Sequence, residues 1–587
     1  MKLLIKISLR NLLRQKQRNV LLGIGIAFGM TILILSNAFS HGLSDILLNR
    51  IIKMMAGHFI VSVQEKPEDK TRGLIRDKDK FIRIIQENVQ GDVQITERIT
   101  TQNMGFGQHN MNQALGNGAS SIIIVIGVDK TSFLSQDQQV ISGRMEDIWA
   151  DREKENPIMI FDTIAENLNV KLNDTIRVRF STVYGQVQAA RFTVVCIQKA
   201  SNPFMGVAAF TSQETLKPLI GLKPNETGSL SVVINNLDNP KKVIEQARRL
   251  HEALKPGAAG FKGQLKAGTV SEEVTVLGIS PDEKKRREFA RHLQLTAGKA
   301  EDLWSNPEDA LISRKLADQL AVGLGDSLSL TYQTRFEGLS IPREVRVKAI
   351  FTPNRLLRDE MVLLHPKFLY ETFIPVLPLD PVDIGRDSQL FSYLMPEWTL
   401  LEMSPDREAM LKKYNNLRDE DWHGRIIDIP TMYAMASEVL NMESVLKMVT
   451  LVAVLILFFI ILIGVINTLR MTIRERTREI GTVRAIGMQR NDVRWIFLLE
   501  VIFLAFFASV AGTILSFILM KASVLLTLEP EGMFSIFLVD HHLHFLPTIS
   551  DIFSNLAIIV VITAVTAIIP AHRASKMPVA DALRHVE

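Results

Sequence analysis

Four uncharged apolar runs constrain the fold of this chain more than any other feature of its sequence. They cover residues 20–39, 448–469, 501–520 and 552–571. Each run has about the 20 residues that a helix needs to cross a hydrocarbon core of about 30 Å. One run lies near the start and three lie near the end. This distribution predicts an α-helical membrane protein with four transmembrane helices (1 + 3) and one large domain between the first two.

Basic residues indicate which side of the membrane each connection occupies. Lysines and arginines precede the first run, seven arginines lie within 470–494, and His572 with Arg573 follows the fourth run. Positively charged loops are retained on the inside, so both termini and the 471–495 loop are predicted to be cytoplasmic. The large domain is then extracytoplasmic. A cleaved signal peptide is the alternative for residues 20–39, but that run exceeds the usual length of about 7–15 residues.

The predicted segments follow from these assignments. They are 1–43 (a cytoplasmic interfacial helix and the first span), 44–440 (the extracytoplasmic domain), 441–470 (the second span), 471–495 (the cytoplasmic loop), 496–522 (the third span), 523–551 (an outer loop), 552–571 (the fourth span) and 572–587 (a cytoplasmic tail).

The loop RMTIRERTREIGTVRAIGMQRNDVR at 470–494 is more ordered than a plain charge anchor. Its glutamates and arginines recur at helical spacing, and Ile473, Ile480 and Val483 form an apolar stripe. This pattern predicts a short helix that lies against a partner protein. The alternative is a solvated anchoring loop. Glu500, at the inner end of the third span, is expected to reach the interface or a nearby arginine.

The extracytoplasmic domain contains an internal duplication. IAENLNVKLNDTIRV at 164–178 matches LADQLAVGLGDSLSL at 316–330, and GRMEDIW at 143–149 matches GKAEDLW at 298–304. The similarity predicts two mostly-β modules, at about 104–200 and 271–352, within an α+β domain. Asp174 and Asp326 fall at equivalent turns, where a short polar side chain can cap its own backbone.

Three βαβ-like units surround the modules. They begin at HFIVSV (58–63), SLSVVINN (229–236) and WTLLEM (398–403), and they end at VQITERIT, GQLKAGTV and RIIDI. The single cysteine, Cys196, excludes an intrachain disulfide and is expected to be a buried thiol.

Several classes of function lack support. No basic stripe with interleaved aromatic residues predicts nucleic acid binding. The string G-x-x-x-x-G-K-[S/T] is absent, so ATP hydrolysis must occur on a separate subunit and the chain is predicted not to be an enzyme. Asp540, His541, His542 and His544 cluster in the outer loop, but their spacing does not fit a zinc site. No cofactor, metal site or catalytic constellation is predicted.

The chain resembles ABC transporter permeases of the MacB/FtsX/LolE type. The residues that carry this resemblance are RERTREIGTVRAIGMQRNDVRWIFLLE (474–500), the start KISLRNLLRQKQRNVLLGIGIAFG and the ending PAHRASKMPVADALRHVE. The segment MAGHFIVSV is most similar to the lipoprotein-releasing LolC/LolE branch, whereas the duplicated module departs from the usual single copy. The resemblance assigns ATPase coupling to Arg474, Glu475, Arg476, Arg478, Glu479, Ile480, Gly481, Arg484, Ala485, Gly487 and Met488.

The resemblance also implies a function and partners. A cytoplasmic ABC ATPase dimer would drive motion of the outer domain through the spans, in a bacterial cytoplasmic (inner) membrane. A second permease, identical or paralogous, and membrane lipids are expected partners. The cargo implied is a lipoprotein or another lipid-linked molecule. The alternatives are regulation of a cell-wall enzyme, as FtsX-like members do, and drug or peptide efflux of the MacB type.

Overall fold

The computed structural model divides the chain into two compact units. The membrane unit comprises Met1–Ile51 and Ser437–Glu587, and the outer unit is Ile52–Ala436. The structure describes residues 2–14, 16–46, 57–67, 71–101, 112–130, 140–150, 155–200, 206–237, 239–299, 305–334, 338–374, 382, 384, 389–527, 538–539 and 542–579.

The helices and strands of the described residues are as follows. The helices are α1 (Lys2–Arg14), α2 (Lys16–Asp45), α3 (Lys78–Asn88), α4 (Asp147–Ala150), α5 (Asp162–Leu168), α6 (Gln213–Ile220), α7 (Pro240–Ala253), α8 (Glu283–Ala290), α9 (Arg314–Leu320), α10 (Pro366–Phe373), α11 (Arg407–Asp419), α12 (Met432–Met435), α13 (Ser437–Glu475), α14 (Thr477–Ala485), α15 (Arg490–Ser523) and α16 (Ile549–Lys576). The strands are β1 (Phe59–Lys66), β2 (Arg72–Gly73), β3 (Val93–Thr100), β4 (Gln113–Leu115), β5 (Ser120–Ile122), β6 (Ile124–Val128), β7 (Val140–Gly143), β8 (Pro157–Phe161), β9 (Thr175–Ser181), β10 (Val187–Gln198), β11 (Ala208–Ser212), β12 (Ser229–Ile234), β13 (Gly260–Ala267), β14 (Val270–Gly278), β15 (Leu295–Ala297), β16 (Asp309–Ser313), β17 (Ser327–Gln333), β18 (Ser340–Phe351), β19 (Met361–Leu364), β20 (Thr399–Leu400), β21 (Gly424–Asp428), β22 (Leu538–Val539) and β23 (His542–Leu543).

Three helices of the membrane unit are long and apolar enough to cross a membrane, as judged on the described residues. They are Asn19–Asp45 within α2, Arg490–Ser523 (α15) and Ile549–Lys576 (α16), with 27, 34 and 28 residues. The predicted second span, 441–470, lies within the 39-residue helix α13. Several side chains of α13 fall outside the described residues, so the fourth span stays a prediction.

Helix α2 packs closely against α15. Ile26 and Met30 are fully buried in a cluster that also contains Ala508. At Gly512 the two backbones approach so closely that an added Cβ would lie 2.4 Å from the carbonyl oxygen of Ala27. The Thr31 hydroxyl donates to the carbonyl of Gly512 at 3.0 Å. Small residues and short hydrogen bonds are the usual means of joining helices in lipid.

The core of the outer unit is a sheet in the order β21-β1-β12-β3, with β20 beyond β21. Strand β12 runs antiparallel to both β1 and β3, so the first predicted βαβ unit is a split one with β12 inserted. The third unit is confirmed, because β20 and β21 pair in parallel around α11. The second unit is wrong in its last strand. Strand β13 pairs with β14 and β17 instead.

Two modules are inserted into this core, as the duplication predicted. The first spans residues 113–220, and its strands follow the order β6-β11-β8-β10-β9-β4-β5. The second spans residues 260–373 and follows the order β14-β19-β16-β18-β17-β13-β14, with a closing pair between β13 and β14. Strands β5 and β6 are separated only by Ile123, so they correspond to the single strand β14. Along these two strand orders, parallel and antiparallel pairings follow one another in the same order in both modules.

The modules also share their irregular features. The register of β10 against β8 shifts at Val195, and that of β18 against β16 shifts at Lys348. A glycine with positive φ lies against each bulge, Gly143 (+81°) in the first module and Gly298 (+92°) in the second. These common deviations from regular strand geometry identify one fold used twice.

The equivalent aspartates form the predicted turns. Asp174 Oδ2 accepts from the backbone N–H of Lys171 at 2.8 Å, and Asp326 Oδ2 accepts from that of Gly323 at 2.8 Å. Both carboxylates therefore cap their own turn, and the structural interpretation of this pair is confirmed. Cys196 is a buried thiol, also as expected.

A buried ionic cluster lies in the core sheet. Arg76 donates through Nε to Glu65 at 2.9 Å and through Nη1 to Glu226 at 3.0 Å. Burial raises the pKa of the Glu65 carboxyl, although the adjacent Arg76 opposes that shift. The cluster joins β1 to the chain on either side of the first module. Removing Arg76 would leave two buried carboxylates without the cation that both of them contact.

Candidate coupling segment

The segment between α13 and α15 contains the short helix that the sequence predicted. Helix α13 ends at Glu475, Arg476 breaks the helical path, and α14 runs over Thr477–Ala485. Gly487 then adopts a φ of +115°, and α15 begins at Arg490. A residue with a side chain is strained at such a φ, so Gly487 is what allows the tight return between α14 and α15.

One face of α14 is packed against the rest of the membrane unit. Ile480 and Gly481 are buried, and Ile480 belongs to an apolar cluster with Ile473, Phe497 and Ala571. The Thr477 hydroxyl donates to the carbonyl of Ile473 at 2.8 Å across the break between α13 and α14. Val483, assigned to the same stripe by its spacing, is instead 38% exposed. The helix therefore buries a narrower face than the sequence pattern indicated.

Arg476 is the electrostatic centre of the segment. Its Nε donates to Glu479 Oε2 at 3.0 Å, and its Nη1 donates to Glu500 Oε2 at 3.4 Å. Its guanidinium also lies 5.8 Å from the ring centroid of Phe497. The side chain of Glu500 is only 9% exposed, so this contact is one of the less hydrated ion pairs of the segment. The expectation that Glu500 reaches a nearby arginine is confirmed.

Two further contacts anchor the segment to the ends of the chain. Arg14 of α1 donates to Glu479 Oε1 at 3.1 Å. Arg484 donates to the carbonyl oxygen of Met577, just beyond α16. Helix α1 is itself held on α15, because the buried Ser8 hydroxyl donates to the carbonyl of Ile496 at 3.1 Å. The segment is thus bound to α1, α13, α15 and the end of α16.

The opposite face of the segment is exposed. Of the residues assigned to coupling, Arg474, Glu475, Arg478, Glu479, Ala485 and Gly487 are exposed, Arg476, Arg484 and Met488 are half-buried, and Ile480 and Gly481 are buried. Ile486 was not assigned from the sequence, yet it is 82% exposed at the end of α14. Its position between Ala485 and the turn at Gly487 is the signal that could have identified it.

The described residues of the histidine-rich outer loop form no group that could hold a metal. Within the described residues, no group of three or more His, Cys, Asp or Glu side chains has the required arrangement. Asp540 and His541 lie outside the described residues. His542 Nδ1 lies 3.2 Å from the carbonyl of Leu526, and His544 faces Asp45.

Two protein families match separate parts of the chain. The MacB-like periplasmic core domain matches residues 20–250, and the FtsX-like permease C-terminal domain matches residues 451–579. The chain therefore contains a MacB-like periplasmic core domain and an FtsX-like permease C-terminal domain, in agreement with its resemblance to ABC transporter permeases of the MacB/FtsX type. Such a permease is an inner-membrane protein with a large extracytoplasmic domain. The second module lies between the residues matched by the two families.

Several curated proteins are similar over short segments. A probable syringafactin export ATP-binding/permease protein, SyfD of Pseudomonas syringae, is 38% identical over 74 residues, which are 13% of this chain and 11% of that protein. An uncharacterized ABC transporter permease, MJ1507 of Methanocaldococcus jannaschii, is 31% identical over 121 residues, 20% of this chain and 28% of that one. The macrolide export ATP-binding/permease protein MacB of Bordetella avium is 34% identical over 87 residues, which are 15% of this chain and 13% of that protein. The chain thus spans less than a third of the length of these relatives.

Solved structures also resemble parts of the chain. The extracellular domain of the noncanonic ABC-type transporter YknZ from Gram-positive bacteria has a TM-score of 0.21 and 15% identity, covering 33% of this chain and 93% of that one. The periplasmic region of MacB from Actinobacillus actinomycetemcomitans has a TM-score of 0.22 and 12% identity, and the match covers 35% of this chain and 88% of that one.

Proposed function

We propose that this chain transmits the motion of a separate cytoplasmic ATPase to its own outer unit. The observation that carries the proposal is the two-sided character of α14. One face is fixed to the membrane unit by Ile480 and Arg476, while the other presents charged side chains and the exposed Ile486. A partner that docks on the exposed face can therefore displace the helix without first breaking its internal contacts.

The internal contacts of α14 would transmit this displacement to the neighbouring helices. Arg476 joins α14 to α15 through Glu500, and Ile480 lies in a cluster with residues of α13, α15 and α16. Helix α13 begins at Ser437, the first residue after the outer unit, and α2 ends at Asp45 shortly before it. A tilt of these helices would pull on both ends of the outer unit, as in a hinge or shear motion.

The partners follow from what the chain lacks. Its sequence has no phosphate-binding loop, so the ATP is bound by the partner ATPase, which acts as a dimer in this proposal. The four predicted spans are few for a transporter, so a second permease, identical or paralogous, completes the assembly. The four apolar runs contain no charged side chain. This favours force transmission over passage of a polar solute through the spans.

The cargo proposed is a lipoprotein or another lipid-linked molecule extracted from the outer leaflet. The segment MAGHFIVSV suggested this branch, and the structure gives part of it a structural role. An added Cβ on Gly57 would lie 2.4 Å from Ser231 Oγ, and His58 Nδ1 accepts from the backbone N–H of Ile234 at 2.9 Å. These residues fix the start of β1 against β12. Export of a small molecule is the second candidate, favoured by relatives named as macrolide and syringafactin export proteins.

The docking proposal is tested by replacing the exposed Ile486, at the end of α14, with a charged residue. We expect Ile486→Asp to weaken recovery of the ATPase with the purified chain by on the order of 10- to 30-fold, the loss typical of one well-placed interface residue. Leu525→Asp is the matched control, because Leu525 is 85% exposed beyond the outer end of α15. Both variants should be inserted in the membrane. Equal ATPase recovery from Ile486→Asp and from the unaltered chain would refute docking at this face.

The cargo is identified separately. Purification of the full chain in mild detergent, followed by mass spectrometry of proteins and lipids, should recover the ATPase, the second permease and an acylated protein. Recovery of a diffusible small molecule without any acylated protein would favour the export alternative. Recovery of a cell-wall hydrolase would favour the FtsX-like regulatory role.

A further inference from the structure

The N-terminal helix α1 carries a concentration of positive charge that the proposed function leaves largely unused. Six lysines and arginines precede the first span, and the first acidic residue of the chain is Asp45. The six are Lys2, Lys6, Arg10, Arg14, Lys16 and Arg18. Retention of the N-terminus on the inner side requires positive charge but no particular arrangement of it. The arrangement of these cations around α1 therefore carries separate information.

One face of α1 is packed against α15, and its cations lie on the other face. Ser8 is 0% exposed, and its hydroxyl donates to the carbonyl of Ile496 at 3.1 Å. Lys6 and Arg10 lie two residues before and two residues after Ser8, a rotation of about 200° around the helix axis. Both side chains are exposed, and neither forms an ion pair within the described part of the chain. They are thus available to an anion from outside the chain.

The surroundings of α1 place it beside a surface suited to lipid. Asn19 Nδ2 donates to the carbonyl of Leu12 at 2.9 Å, which fixes the corner between α1 and α2. Directly after this corner, α2 exposes Leu21 (73%) and Ile24 (60%). Trp495, near the contact between α1 and α15, is 40% exposed. Tryptophan is enriched where the hydrocarbon core meets water, so α1 lies at the level of the lipid headgroups.

The two adjoining surfaces match the two parts of one phospholipid molecule. Lysine and arginine bind phosphate oxygens through charge-assisted hydrogen bonds. Basic clusters beside a transmembrane helix attract anionic lipids for this reason. The exposed apolar start of α2 can contact the acyl chains of the same molecule. A soluble polyanion would gain nothing from that apolar surface, so the combination favours a lipid over free phosphate.

We infer that Lys6 and Arg10 of α1 form a binding site for an anionic phospholipid of the leaflet on the cytoplasmic side. The site adjoins the coupling segment. Arg14, one turn after Arg10, donates to Glu479 of α14 at 3.1 Å. The helix that holds the lipid is therefore also a support of α14, and the lipid composition of the membrane would influence coupling. This last consequence rests on the proposed function, whereas the lipid site itself does not.

The site is tested by native mass spectrometry of the full chain in mild detergent, titrated with phosphatidylglycerol or with phosphatidylcholine. We expect the parent chain to prefer phosphatidylglycerol. The double variant Lys6→Gln, Arg10→Gln should bind it on the order of 25-fold more weakly, because each cation near an anionic surface contributes about fivefold. The matched control is Arg573→Gln, Lys576→Gln, which removes two exposed cations at the end of α16. It should retain the parent affinity.

A charge-conserving variant separates loss of charge from loss of folding. Lys6→Arg, Arg10→Lys keeps both cations and should retain the affinity for phosphatidylglycerol. Loss of affinity in this variant as well would overturn the site, because charge would not be the cause. Equal affinity of the parent chain for the two lipids, or equal losses in the glutamine variants of α1 and α16, would also overturn it. The titration contains no ATPase, so a failure to recover one would contradict the proposed function and leave the result on the lipid unaffected.

Discussion

The two modules of the outer unit place different side chains at equivalent buried positions. Cys196 follows the bulge of β10 in the first module, and Ala349 takes the same place on β18 in the second. Phe180 on β9 corresponds to Tyr332 on β17. Burial raises the pKa of the Cys196 thiol to about 12 and raises that of the Tyr332 phenol. The duplication therefore preserved the chain path and left the titratable chemistry of each core free to diverge.

The largest expected effect tests whether the modules are separate cooperative units. Leu168 and Leu320 are equivalent core residues, 0% and 3% exposed. We expect Leu168→Ala to destabilise the first module, and Leu320→Ala the second, each by about 2–5 kcal/mol. Hydrogen exchange followed by mass spectrometry would report each module through its own peptides. Leu324→Ala, at a site 50% exposed, is the control. Loosening of both modules by either core variant would show that they unfold together.

The glycines at the bulges give a second, smaller test. A Cβ on Gly143 would lie 2.1 Å from the carbonyl oxygen of Val195, whereas one on Gly298 would lie 2.8 Å from its nearest atoms. We expect overpacking to cost about 1–3 kcal/mol, with Gly143→Ala the more costly. Gly118→Ala is the control, because Gly118 also has positive φ but has open space around it.

Cys196 reports the outcome of this test directly. Gly143 and Cys196 are paired across β7 and β10, and the chain has no other cysteine. Maleimide labelling of the thiol should accelerate in Gly143→Ala and remain unchanged in Gly298→Ala. Acceleration in both variants would mean that strain in the second module reaches the first.

The smallest expected effect is a loss of folding stability in the first module that is absent at neutral pH and develops at alkaline pH. The thiol pKa rises from an ordinary 9.0 to about 12 on folding, so between these values the unfolded chain loses a proton that the folded chain keeps. The stability that this thiol contributes is therefore present below about pH 9 and declines as the pH rises. We expect Cys196→Ala to reduce the alkaline loss of stability in the first module only. Protection factors, which are corrected for the intrinsic exchange rate, that are the same at about pH 7 and about pH 10 in the parent chain and in Cys196→Ala would contradict this expectation.

The repeated local features could be predicted from the sequence, but the long-range contacts could not. Asp174 and Asp326 are among the matching positions that revealed the duplication, and their role could be predicted because turn residues act on their own backbone. Strand β13 was assigned to the wrong unit, because its alternating Phe261 and Leu265 fit any half-buried strand. Ala321 has a left-handed φ of 52°, a conformation that its residue type gives no reason to expect.

The coupling segment was also only partly predictable from the sequence. Helical spacing correctly predicted α14 and the burial of Ile480, but it grouped Val483 with the same face. Only the packed structure distinguishes them, because the width of the buried face depends on how α15 and α16 lie against α14. The pairs Arg14–Glu479 and His41–Asp551 join residues 465 and 510 positions apart. No local pattern encodes such pairs.

The insertion of both modules into one sheet affects the order in which the outer unit can be completed. Ser62 on β1 bonds to the carbonyl of Asp428 on β21, 366 residues later, whereas each module closes within its own continuous stretch of chain. Contacts between distant residues form slowly, because the intervening chain must first be brought together. During synthesis, both modules can become protease-resistant while β1 still lacks its neighbour β21. Chains that stop short of Gly424 should accumulate as two finished modules on an open sheet edge, a natural target for quality-control proteases.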